Sequence, residues 1–355
     1  MFVLSISAYG LIAFNQPHGD WDAWGIWNMR ARFIFRGGED WTGAFSGTLR
    51  WSHPDYPLLI PDNVARIWAY LGRDSVSAPI AIAFLFTFGT LALLAGSVAS
   101  LRSRNQGLLA GLTLMCFASF IRYGAGQCAD IPLGFYYLAT LVPLHLADQE
   151  PDQKSRYLFL AGAMAGCSVW TKNEGVVFIV AMMLAHFAGA AINRGWRAYP
   201  RELLALIAGL APVLIVLAAF KLRFPFPNHM TAGQLPAIYL ERILDASRYL
   251  AIAKSFLITL LKIAQGAILI FPLAGLMLGF SWRQSSKKSG CISLIALALT
   301  LAGYFAAYLV SPHDLDWHLR TSNDRLFMQL LPGALFVFFI LLRTPEEITA
   351  ISPES

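Results

Sequence analysis

Apolar runs of roughly 13–30 residues alternate along the chain with short stretches of charged and turn-forming residues. An apolar run of about 20 residues crosses a bilayer as one helix, because a helix satisfies its own backbone where no water can. The runs predict ten spans, at 2–14, 76–101, 107–121, 131–147, 157–170, 175–192, 203–220, 249–280, 291–311 and 326–343. The first is too short for a crossing. It also lacks the charged start and small-residue cleavage site of a signal peptide, so it reads as a first helix whose beginning is missing. Residues 15–75 form the longest polar segment. Within it, Trp24, Trp27, Ala31 and Ile34 recur at helical spacing and Gly37-Gly38 stops the pattern, which predicts an amphipathic helix over 22–36. A second is predicted over 61–71, with proline at its start. Both are expected flat on the membrane surface, with Trp and Tyr at headgroup depth. The polar break at 171–174 reads as a hairpin between two short helices or as one broken helix.

Composition agrees with this pattern. The chain is 57% apolar and only 14% charged, against about 25% charged in an ordinary soluble domain, and its mean hydropathy is +0.55. An ordinary soluble enzyme, a disordered chain and a coiled coil are excluded, leaving an all-α polytopic membrane protein. It is expected to be one transmembrane domain over 1–343, with a short cytoplasmic tail at 344–355. The net charge of +6 does not point to nucleic acid, because the basic residues are dispersed. Arg102/Arg104, Lys154/Arg156, Arg194/Arg197/Arg201, Arg283/Lys287/Lys288 and Arg343 instead mark alternate connections as cytoplasmic. The outer face then receives 15–75, 221–248 and 312–325. The four cysteines show no paired or metal spacing and read as packing residues. Gly162 and Gly166 read equally well as a close helix contact or as chance in a Gly/Ala-rich run.

Five outer segments could carry chemistry. Gly19-Asp20-Trp21-Asp22-Ala23-Trp24 places two carboxylates just after a span; each could cap a helix or take a proton from a hydroxyl. Ser52-His53-Pro54-Asp55-Tyr56-Pro57 is an extended, proline-stiffened stretch offering His53, Asp55 and Tyr56, or simply a rigid turn. Arg122 and Asp130 flank Gly124–Cys128 before Ile131-Pro132-Leu133; they could cap and snorkel or meet a phosphate. Thr171-Lys172-Asn173-Glu174-Gly175 interrupts two apolar runs, where Lys172 and Glu174 either pair with each other or serve a ligand. The stretch from His313 to Arg325 gathers His and Asp at spacings unlike a zinc site; Arg320 and Arg325 are its candidates for an anion.

Asp22-Ala23-Trp24 with Arg30 resembles the D-x-W…R loop of oligosaccharyltransferase catalytic subunits. In position it also resembles the acidic motif of protein O-mannosyltransferases and of bacterial aminoarabinose–lipid A transferases. The His53 segment is similar to their H-P-P-L-Y stretch, Ala129-Asp130-Ile131-Pro132-Leu133 to their A-D-x-P-L signature and Thr171-Lys172 to a T-K-G motif. Ser322-Asn323-Asp324-Arg325-Leu326 resembles the segment entering a late helix. These are integral-membrane glycosyltransferases of the GT-C superfamily, and the resemblance runs from residue 1 to about 343. It implies transfer of a sugar from a polyprenyl-phosphate donor to a hydroxyl of a glycolipid, glycan or protein acceptor. Asp22, with Asp20 as alternative, would be the base. Arg30, His53, Asp55, Tyr56, Arg122, Asp130, Lys172, Glu174, Arg320 and Arg325 would bind substrates. No cofactor is fixed by the resemblance; a divalent cation is left open, since relatives differ. The setting implied is a bacterial inner membrane with the site facing outward. The residues support a lipid donor independently, since no glycine-rich phosphate loop is present. A transporter or flippase of lipid-linked glycans, or a non-catalytic scaffold, remain the alternatives.

Overall fold

The computed structural model describes residues 1–193, 199–227, 230, 235–264, 267–280, 284–344 and 346–347. Among them the regular elements are helical. In chain order they are α1 (Phe2–Asn15), α2 (Asn28–Arg36), α3 (Leu59–Leu71), α4 (Ser77–Leu101), α5 (Arg104–Met115), α6 (Ala118–Ala125), α7 (Asp130–Gln149) and α8 (Lys154–Thr171). There follow α9 (Glu174–Asn193), α10 (Tyr199–Arg223), α11 (Pro236–Leu244), α12 (Ala246–Ala264), α13 (Ala267–Leu278), α14 (Gln284–Leu309) and α15 (Leu315–Leu341). Among the described residues, α4, α10, α15 and most of α9 and α14 are long and apolar enough to cross a membrane, and α5 with α6 forms one bent candidate. The chain is a multi-pass membrane protein.

Several expectations change in detail. The span expected over 107–121 is two helices, α5 and α6, bent by 67° at Cys116-Phe117. The apolar run 249–280, longer than one crossing needs, is divided into α12 and α13. The break at 171–174 is a hairpin between α8 and α9. The helix expected over 22–36 opens as a wide π turn, Ala23–Trp27, before α2, and the second begins two residues early, at Leu59. These two do not simply lie on a surface. Trp27 and Trp68, expected at headgroup depth, are each 1% exposed. Trp68 packs among Ala31, Val64, Ala65 and Ala78, so it joins α2 and α3 to α4. Burying indoles inside the protein removes more apolar area from water than laying them at an interface.

The core runs through α7, α8, α10, α14 and α15. Gly162 on α8 meets the backbone of Leu206 on α10, and Gly209 on α10 meets the backbone of Phe159 on α8. The two helices therefore touch backbone to backbone, so the Gly162-Gly166 pair is a true close contact. At one end of the bundle Lys154 pairs with Glu202, and Arg102 with Glu347 (3.0 Å). The opposite end gathers the segment after α1, the turn before α7, the α8–α9 hairpin and the first half of α15.

Candidate functional site

The segment after α1 is stitched to the turn before α7. Gly19 has φ +73°, and a Cβ there would lie 2.6 Å from Ala23 Cβ and 2.7 Å from the Gly126 carbonyl oxygen. Only glycine lets the chain pass so close in that conformation. The next amide, of Asp20, donates to Gly126 O at 2.9 Å. Gln127, at φ 58°, donates to Pro17 O (3.1 Å) and accepts from Asn28 Nδ2 (2.8 Å). The turn delivers Asp130 as the first residue of α7, where the helix dipole favours a carboxylate.

Asp130 is fully buried and the centre of the site. Its Oδ1 accepts from Lys172 Nζ (2.9 Å) and Gln329 Nε2 (2.6 Å), and its Oδ2 from Arg325 Nε (2.9 Å). Arg325 turns its Nη2 to Asp22, whose carboxylate accepts it. Lys172 also pairs with Glu174 Oε1 at 2.7 Å, while Glu174 Oε2 is buried without a hydrogen-bond partner among the described residues. Arg325 and Gln329 lie one turn apart on α15, which is why one helix can grip both oxygens of Asp130. Behind Gln329, Tyr304 donates to Gln329 Oε1 (2.6 Å) and meets Tyr137 (3.0 Å). Burial alone would lower the Lys172 ammonium, but the Asp130 and Glu174 carboxylates outweigh it and hold it above the ordinary lysine range.

A second layer fixes the proline-stiffened stretch. Arg30, wholly buried, donates to the carbonyls of Ser52, His53 and Tyr56. His53, at φ 53°, stacks on Tyr56 (5.1 Å), and Tyr56 stacks on Trp27 (5.5 Å). The Lys172 ammonium lies 5.9 Å from the centre of the Tyr56 ring. Asp55, 2% exposed, accepts from Asn173 Nδ2 at 2.6 Å, and Lys221 bridges Asp55 O and Asn173 Oδ1.

The geometry thus joins Asp22, Asp130, Lys172, Glu174 and Arg325 directly. Arg30, His53, Asp55 and Tyr56 stand against that group. Asp20 faces elsewhere: its Oδ2 accepts from the Cys128 thiol at 3.7 Å. Burial, then Asp130, pushes that thiol up, so it stays a neutral donor. Arg122 is exposed over the Tyr123 ring, and Arg320 is exposed in a pair with Asp316 at 3.3 Å; neither joins the network. Gln329, Tyr137, Tyr304 and Lys221 were not singled out from the sequence. Their only signal was polarity beside or within apolar runs. Among the described residues, no three His, Cys, Asp or Glu side chains converge as a cation site requires.

A model of the dolichyl-phosphate-mannose-protein mannosyltransferase family matches residues 53–220, just under half of the chain. No curated protein sequence matches significantly. Two solved structures of ArnT from Cupriavidus metallidurans share the fold. The one bound to undecaprenyl phosphate has TM-score 0.62, and the apo state 0.61, each at 13% identity. The match covers 96% of this chain and 59% of the ArnT chain, so this chain spans well under two thirds of its relative's length. The all-α membrane fold expected from the sequence is the fold this chain shares with the ArnT structures.

Proposed function

We propose that this GT-C chain transfers a sugar from a polyprenyl-phosphate donor to an acceptor hydroxyl on the outer face of a bacterial inner membrane. The observation that carries the reading is the ion pair between Asp22 and Arg325, two sequence motifs that the fold brings together over the buried Asp130–Lys172–Glu174 network. Matching of the mannosyltransferase family model and the undecaprenyl phosphate held by one ArnT structure support a lipid-linked donor.

The network holds three carboxylates against two cations. An arriving phosphate competes for Arg325 and releases Asp22 from it. Arg325 and Lys172 then face the leaving phosphate, whose charge grows as its bond to the sugar breaks. The freed Asp22 takes the proton of the acceptor hydroxyl. The acceptor oxygen bonds to the anomeric carbon as the carbon–oxygen bond to phosphate breaks, and polyprenyl phosphate leaves with the electron pair. One displacement gives inversion. Asp130 stays a carboxylate that orients the two cations. The donated sugar is a hexose or pentose.

The test is Asp22→Asn in membranes, assayed for sugar release from a radiolabelled polyprenyl-phosphate donor. Transfer is expected to fall by about 10²-fold or more, as for loss of a general base, with normal expression. Full activity removes Asp22 from the mechanism. Asp20→Asn, in the same assay, is expected to retain most of its activity.

A further inference from the structure

Three buried neutral side chains stand in a line behind Asp130: Tyr137 on α7, Tyr304 on α14 and Gln329 on α15, none more than 2% exposed. Tyr137 Oη lies 3.0 Å from Tyr304 Oη, Tyr304 Oη lies 2.6 Å from Gln329 Oε1, and Gln329 Nε2 lies 2.6 Å from Asp130 Oδ1. Tyr137 also reaches the Glu174 carbonyl at 3.2 Å, beside the turn that carries Lys172. Two contacts hold the line in place. The Tyr137 ring stacks on Phe178 at 4.0 Å. A Cβ on Gly134 would lie 3.0 Å from Gln329 O, so the glycine lets α15 lie against α7 one turn from both Asp130 and Tyr137.

The end of the line fixes its direction. Asp130 is gripped by two cations and is a carboxylate, which only accepts. Gln329 therefore turns its Nε2 toward Asp130 and its Oε1 away. A buried Oε1 needs a donor, and the Tyr304 hydroxyl supplies it. With that proton committed, the Tyr304 oxygen is left to accept, and Tyr137 is the donor that faces it. The protons of Tyr304 and Gln329 both point toward Asp130.

Without the Tyr304 hydroxyl, the Gln329 amide loses what tells its two ends apart. It can then present Oε1 to Asp130, where two acceptors repel and the carboxylate turns away. Lys172 and Arg325 follow, because each is hydrogen-bonded to an oxygen of that carboxylate. Gln329 and the two tyrosines are uncharged, so they leave the charge of the site alone and act on where its cations point.

Tyr308, one turn further along α14, separates this role from simple helix packing. It is as buried as Tyr304, and its hydroxyl lies 2.7 Å from Ser322 Oγ on α15. It ties the same two helices by the same kind of bond. Ser322, however, donates to the His318 carbonyl and leads away from Asp130.

We propose that Tyr304 is a positioning residue for phosphate recognition: through Gln329 it sets the plane of the Asp130 carboxylate, and with it the aim of Lys172 and Arg325. The proposal rests on a polyprenyl phosphate binding at those two cations. The test measures binding of radiolabelled undecaprenyl phosphate to the full chain in detergent, with unlabelled undecaprenol as a competitor that reads the tail alone. Tyr304→Phe is expected to weaken undecaprenyl phosphate by about tenfold, as misaiming a hydrogen bond to a charged group does, and to leave competition by undecaprenol unchanged. Gln329→Leu is expected to do the same, and the double variant to bind no more weakly than Gln329→Leu alone, since Tyr304 acts through that amide. Tyr308→Phe is expected to bind like the wild type. Unchanged binding by a folded Tyr304→Phe protein overturns the proposal. So do additive losses in the double variant, or an equal loss in Tyr308→Phe, either of which makes Tyr304 a helix tie. A wild-type protein that binds undecaprenyl phosphate no better than undecaprenol defeats the lipid-phosphate reading itself, an outcome seen before any variant is compared.

Discussion

At the residue scale, the site depends on charges that are each held by more than one partner. Asp130 accepts three hydrogen bonds and has no exposure. Lys172→Met removes one donor from it and leaves Glu174 unpaired; breaking a buried pair in this way costs about 3–5 kcal/mol, less where Glu174 keeps some water. The expected result is a clear fall in melting temperature in detergent. Gln329→Leu is milder. It takes one bond from Asp130 and leaves the Tyr304 hydroxyl only Tyr137 as a partner, at about 1–3 kcal/mol, and the same melt checks it. The pH dependence of Lys172 follows from its sign. Its pKa is raised, so the stability it contributes is full below the ordinary lysine value of about 10.4 and is lost only above it. Wild-type melting is therefore expected to show no Lys172-dependent fall between about pH 7 and pH 10. A fall near pH 9 that vanishes in Lys172→Met would contradict this.

At the scale of elements, the tightest joint is α8 on α10, where Gly162 and Gly209 let two backbones meet. Gly209→Val would push the helices apart, at about 1–3 kcal/mol or more. Because α8 ends at Thr171, the Lys172 turn should move with it, and both folding yield and transfer should drop; size exclusion and the donor assay read the two effects. Much of this layer was legible in the pattern of the chain. The spans, α2 and α3 announce themselves by run length and periodicity. The bend between α5 and α6 does not, because Met115-Cys116-Phe117 contains no helix breaker. Asp130, Lys172 and Arg325 were legible as charges whose apolar surroundings demand a partner. Gln329, Tyr137 and Tyr304 were not, since a neutral polar group in an apolar run costs little until tertiary packing decides what it meets. Packing also separated residues that looked alike. Arg325 faces inward while Arg320, five residues earlier on α15, faces out, and Trp27 is buried while Trp24 is half bare.

At the scale of the molecule, the bundle has one end that gathers the Asp130 network and another tied by pairs such as Lys154–Glu202. The Asp130 network is assembled from distant parts of the chain: Asp22 and Arg325 are 303 residues apart. A double-mutant cycle of Asp22→Asn with Arg325→Gln is expected to give a coupling of about 1 kcal/mol or more in thermal melts. That separation also orders events during synthesis. Until α15 is made, Asp130 lacks its bonds from Arg325 and Gln329, and Asp22 lacks its ion-pair partner. Only insertion of α15, which brings Arg325 and Gln329 in one turn of helix, closes the network around Asp130. A nascent chain thus lacks the cation that Asp22 closes on, and two of the three donors to Asp130, until α15 is in place.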